Sequence, residues 1–81
     1  MDIKILGSGC KNCQKLEQIS REAVAELGTE AVIEHVTDLR TVMSYGVLST
    51  PGLVINEKVV SSGRVLSKDE VKKYIRSAEG N

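Results

Sequence analysis

Asp2 to Leu6 alternates apolar and polar positions through Ile3 and Ile5, then runs into Gly7-Ser8-Gly9. That is the pattern of a short strand feeding a flexible loop. Helical spacing follows: Leu16, Ile19, Ala23, Val24 and Leu27 fall on one face, and Gly28 supplies a stop. Ala31 to Val36 reads as a second strand carrying Val32 and Ile33. Asp38 has the character of an N-cap for a short helix that turns Leu39, Val42 and Met43 inward and ends at Gly46. Pro51 opens a third strand, Leu53-Val54-Ile55, at a position where a missing N–H is tolerated. Asn56-Glu57 suits a hairpin turn into Val59-Val60. Ser67 and Glu70 form a capping box ahead of a last helix whose buried stripe is Val71, Tyr74, Ile75 and Ala78.

The predicted order is β-α-β-α-β-β-α. The first strand–helix–strand unit calls for a right-handed crossover between parallel strands, and the later two strands for an antiparallel hairpin. Joined, they make an α/β fold, a four-stranded mixed sheet with helices on both faces, whose strand order the pattern leaves open. Repeats and linkers are absent, so residues 1–81 are expected to form one domain.

Composition narrows the picture. There is no Trp or Phe, and Tyr45 and Tyr74 are the only aromatics, so the core must be aliphatic. Lys plus Arg equals Asp plus Glu at 11 each, with no basic block, which argues against nucleic acid or an anionic membrane as partner. No apolar run approaches the roughly 20 residues of a bilayer span. The chain begins directly in a strand-like pattern with no secretory leader, and a cytoplasmic location is the expectation. His35, alone in mid-strand, reads as an ordinary edge residue.

Two cysteines, Cys10 and Cys13, carry the candidate chemistry. Two are too few for a disulfide scaffold, and their C-x-x-C spacing makes them one local pair. Three apart at the start of a helix, they lie on neighbouring faces of its first turn and can close a disulfide. The unpaired N–H groups of a helix start favour thiolate over thiol, and Lys11 adds a cation beside them. Cys10, at the loop–helix junction after Gly9, is the expected nucleophile; Cys13, inside the first turn, is the expected resolving thiol. Three other readings stand beside this one. The pair is inert and structural; it is a Cu(I)-carrying C-x-x-C module; or it is a redox sensor whose disulfide state alters a partner interface. Zinc would need further ligands.

Tyr45-Gly46-Val47-Leu48-Ser49-Thr50-Pro51 resembles thioredoxins, which share a Tyr-Gly-aliphatic run shortly before a proline that opens an aliphatic strand. Gly63 to Lys68, followed by a helix with Tyr74-Ile75, is similar to the thioredoxin C-terminus, and Leu53-Val54-Ile55-Asn56 is similar to glutaredoxins. With Cys10-Lys11-Asn12-Cys13 the resemblance covers essentially the whole chain and is nearest to the very small thioredoxin-like proteins of archaea and bacteria. The helix-like segment ahead of Pro51 favours this family over the heavy-metal-associated domains.

The resemblance implies a minimal thioredoxin-like fold and a protein disulfide oxidoreductase. It implies a cis Thr50–Pro51 bond facing the cysteine pair, with Gly9, Lys11, Thr50, Pro51 and Gly63 as the substrate-binding positions. The implied partners are protein disulfide substrates and an upstream reductase. No cofactor beyond the Cys10–Cys13 redox disulfide is expected, and a monomer is. The chain departs from the family pattern at several places. The residues between the cysteines are Lys11 and Asn12, not the Gly-Pro of thioredoxins or the Pro-Tyr of glutaredoxins. No Trp precedes Cys10. Lys4 stands near the place of the buried acid of thioredoxins. Ser62-Gly63 is followed by Arg64-Val65-Leu66, which leaves the glutathione site of glutaredoxins incomplete.

Overall fold

The computed structural model describes residues 1–9 and 11–80. Seven elements follow one another: β1 (Asp2–Leu6), α1 (Lys11–Leu27), β2 (Val32–Val36), α2 (Leu39–Ser44), β3 (Gly52–Ile55), β4 (Lys58–Ser62) and α3 (Lys68–Glu79). The sheet order is β2-β1-β3-β4. β1 runs parallel to β2 and antiparallel to β3, and β3 pairs antiparallel with β4. The order of elements, the parallel first pair and the hairpin are those the pattern predicts.

Because side chains alternate across a strand, β1 feeds both faces of the sheet. Ile3 and Ile5 join Leu53, Ile55, Leu16, Ala23, Leu66, Val71 and Ile75 beneath α1 and α3. Leu6 joins Val36, Val54, Val42 and Val47 on the opposite face, beneath α2. Both clusters are aliphatic, as the composition requires.

The local signals are met in detail. Asn56 and Glu57 hold φ of 50° and 66°, the pair of positive values that a two-residue hairpin turn needs. The turn is anchored to β1, since Asn56 Oδ1 accepts from the Asp2 N–H at 3.0 Å and Glu57 pairs with Lys4. Asp38 caps α2, accepting from the N–H and hydroxyl of Thr41. Ser67 and Glu70 form the capping box of α3 in both directions.

Three residues expected to face inward are exposed. Leu39 and Met43 are 68% and 56% exposed, and Val42 alone of the three is buried. A helix of six residues touches the sheet along one edge, and the chain just after it, at Tyr45 and Val47, supplies the rest of that cover. Tyr74 lies at the rim of the α3 stripe and is exposed, whereas Val71 and Ile75 are buried.

Candidate redox site

β1 delivers the chain at Leu6 into Gly7, and two groups of β2 and α1 decide where that glycine sits. The Gly7 N–H donates to the Val36 carbonyl at 2.9 Å, which extends the β1–β2 pairing by one residue. On its other side lies Cys13, wholly buried in the first turn of α1. A Cβ at Gly7 would stand 2.3 Å from Cys13 Sγ and 3.3 Å from Thr50 Cβ. Only glycine leaves room for that sulfur, so the Gly7 α-carbon forms the wall against which Cys13 and Thr50 both pack.

The Thr50–Pro51 peptide bond is cis. Pro51 is buried, and its carbonyl accepts from the Gly63 N–H at 2.9 Å. Gly63, at φ 74°, packs so closely on Ser49 that a Cβ there would lie 2.9 Å from Ser49 Cβ. The start of α1, the turn before β3 and the end of β4 therefore converge. Of the sequence-predicted positions, Cys13, Thr50, Pro51 and Gly63 are brought together. Gly9 and Lys11 lie exposed at the loop–helix junction, where the Gln14 side-chain amide donates to the Gly9 carbonyl at 3.2 Å. Cys10 lies outside the described residues. Leu48, next to Ser49, is 90% exposed.

Lys4 faces α2. Its ammonium donates to the carboxylate of Glu57 at 2.5 Å and to the hydroxyl of Tyr45 at 2.9 Å, and the Tyr45 hydroxyl donates to the same carboxylate. These bonds, Glu57 first, push the Lys4 amine above the ordinary lysine range, and Lys4 in turn holds the Glu57 carboxyl below its ordinary value. Lys4 is thus a fully engaged cation at the place where thioredoxins carry an acid. Among the described residues, no group of three or more His, Cys, Asp or Glu is arranged to hold a metal ion.

Sequence reasoning missed Gly7, Gln14 and His35. The signal for Gly7 was its place as the first residue after the strand, where the helix start must pack. His35 is no ordinary edge residue: its ring bridges the Gly7 carbonyl, 3.1 Å from Nε2, and Glu17 of α1, 3.0 Å from Nδ1.

Fold and site together define a minimal thioredoxin-like domain, in which a strand-end loop, a helix start and a proline turn meet around a buried cysteine. Comparison with known proteins agrees. The family model described as a thioredoxin domain matches residues 1–76. A thioredoxin of Methanothermobacter thermautotrophicus is 43% identical over 75 residues, covering 93% of this chain and 97% of that protein. A thioredoxin of Methanocaldococcus jannaschii is 35% identical over 75 residues, covering 93% of this chain and 86% of that protein. The chain belongs to the thioredoxin family, and its role is, in broad terms, that of a thiol–disulfide oxidoreductase. No helix among the described residues is long and apolar enough to cross a membrane.

Proposed function

We propose that the chain reduces disulfides of protein substrates, with Cys10 as nucleophile and Cys13 as resolving thiol. The observation that carries the reading is the packing of Cys13 and Thr50 against one glycine, Gly7. It seats the second cysteine of the C-x-x-C pair directly beside the segment that would receive a substrate strand.

The thiolate of Cys10 attacks one sulfur of the substrate disulfide, forming a mixed disulfide and releasing the other sulfur as a thiolate, which takes up a proton. The Cys13 thiolate, its proton lost to solvent, then attacks Cys10 Sγ. The Cys10–Cys13 disulfide forms and the second substrate thiolate leaves. Two electrons pass from the pair to the substrate. An upstream reductase, working in the cytoplasm, restores the pair, and no further cofactor takes part.

Protein is favoured over glutathione as substrate on two counts. Leu48, Ser49 and Thr50 are exposed in sequence beside the site, so an extended segment can lie against them by strand addition, and Gly63 packs on Ser49 at the same turn. Arg64, which follows Gly63, is paired with Glu70 at 3.3 Å, where glutaredoxins place a glutathione contact.

The test is Cys13→Ser, incubated in its reduced form with a cell extract under mildly oxidising conditions. Removal of the resolving thiol halts exchange after the first attack. The expected result is a set of protein adducts joined through Cys10. A dominant glutathione adduct would make the chain a glutaredoxin in function, and no adduct of either kind would overturn the reading.

A further inference from the structure

The His35 ring lies between two groups that only accept hydrogen bonds. Nε2 stands 3.1 Å from the carbonyl oxygen of Gly7, and Nδ1 stands 3.0 Å from Glu17 Oε1. The other carboxylate oxygen of Glu17 accepts from Arg21 Nε at 3.2 Å. A neutral imidazole has one N–H and would leave one of the two acceptors facing a lone pair; only a ring protonated on both nitrogens satisfies both. The neighbouring residue of β2, Val36, holds the N–H of the same glycine. β2 therefore grips both polar groups of Gly7, the residue that backs Cys13 Sγ.

We infer that His35 is a positioning residue: with Glu17 it clamps the Gly7 carbonyl and so fixes the seat of Cys13, and the clamp is complete only when the ring is doubly protonated. The inference rests on the dithiol reading of the Cys10–Cys13 pair. Among the described residues, the charged and titratable groups on the His35 side are Glu17, Arg21 and Cys13, all of α1. On the opposite face of the sheet, Lys4 of β1 is engaged with Glu57 and Tyr45, and Glu34 of β2 is turned away from His35 by the strand alternation. Once the clamp is lost, Gly7 is held only by its N–H, and Cys13 is presented less often in the geometry that closes the disulfide.

The test compares wild type with His35→Leu, His35→Gln and Glu17→Ala. One measurement is the equilibrium constant for disulfide formation against glutathione across pH; the other is amide hydrogen exchange at Ser8 and Gly9. His35→Leu is expected to lower the constant by about threefold to tenfold, the size of one lost hydrogen bond. It should also speed exchange at both amides. His35→Gln, whose amide can still donate to the Gly7 carbonyl, is expected to restore most of the constant. Its constant and that of Glu17→Ala should follow pH differently from wild type, because neither variant needs a doubly protonated ring to reach the Gly7 carbonyl. An unchanged constant with unchanged exchange in His35→Leu would overturn the inference. So would a His35→Gln constant as low as that of His35→Leu, which would mark a packing role only. If His35→Leu fails to fold, the pH profiles of the other two variants decide. If wild type forms no exchangeable Cys10–Cys13 disulfide, the dithiol reading fails, and amide exchange at Ser8 and Gly9 still decides whether the clamp exists.

Discussion

Cys13 owes its burial to a missing side chain elsewhere, the absent Cβ of Gly7. Gly7→Ala would set a methyl 2.3 Å from Cys13 Sγ, and the crowding should destabilise the fold by about 1–3 kcal/mol. Urea unfolding of the reduced protein checks this, and a stability equal to wild type would show that the sulfur moves aside freely. Ser20 is the opposite case. It is wholly buried in α1, and its hydroxyl has no hydrogen-bond partner among the described residues. An unsatisfied buried hydroxyl carries a desolvation cost with no return, and alanine is the better helix former. Ser20→Ala should therefore stabilise the protein by about 1 kcal/mol in the same assay. Neither residue could be singled out from the chain alone. Ser20 occupies a helical position between Leu16 and Ala23 that the apolar stripe skips over, and Gly7 looks like any loop glycine until Cys13 is seen beside it.

At the scale of elements, short-range chemistry was legible and orientation was not. The Asp38 cap, the Asn56-Glu57 turn and the Ser67–Glu70 box each depend on residues a few positions apart, and each is present as the sequence predicts. Leu39 and Met43 went wrong because the apolar face of a helix this short does not say which edge meets the sheet. The tie between α1 and α3 was equally invisible, since it joins residues far apart in the chain. Lys68 and Lys72 each reach a carboxylate oxygen of Glu26 at 2.5 Å. Their hydrogen bonds, Lys68 first, hold the Glu26 carboxyl at about 2, below its ordinary 4.5. A group whose value is depressed on folding stabilises the protein above its unfolded value and loses that contribution as pH falls through the folded one. The Glu26 contribution should be intact above about pH 4.5 and fade between there and about pH 2. The cluster is open to solvent, so the effect is modest and weakens with salt. Glu26→Gln should flatten the low-pH limb of a stability–pH curve; a limb of unchanged steepness would place the acid sensitivity elsewhere.

For the whole molecule, element order was readable, while the position of each strand in the sheet was left open. Leu53-Val54-Ile55 is apolar at three successive positions, which fits a strand covered on both faces, and β3 is buried along its entire length. Val32, on the edge strand β2, is 68% exposed, although its apolar character alone would have put it inside. The site shows the same division. C-x-x-C and Thr-Pro are local and were visible, whereas the convergence of α1, the β3 turn and the end of β4 on Gly7 and Gly63 exists only in the folded chain. What that convergence is for can be measured directly. The reduced protein is equilibrated in glutathione buffers of graded potential, quenched with a thiol-blocking reagent and mapped by mass spectrometry. The account predicts a single two-electron transition, about 30 mV per tenfold change in the ratio of disulfide to dithiol. It should run from a form blocked at both Cys10 and Cys13 to one in which a disulfide joins the two sulfurs and neither takes the blocking reagent. A chain that stays fully thiol under strongly oxidising buffers, or that only accumulates glutathione on one cysteine, would contradict it.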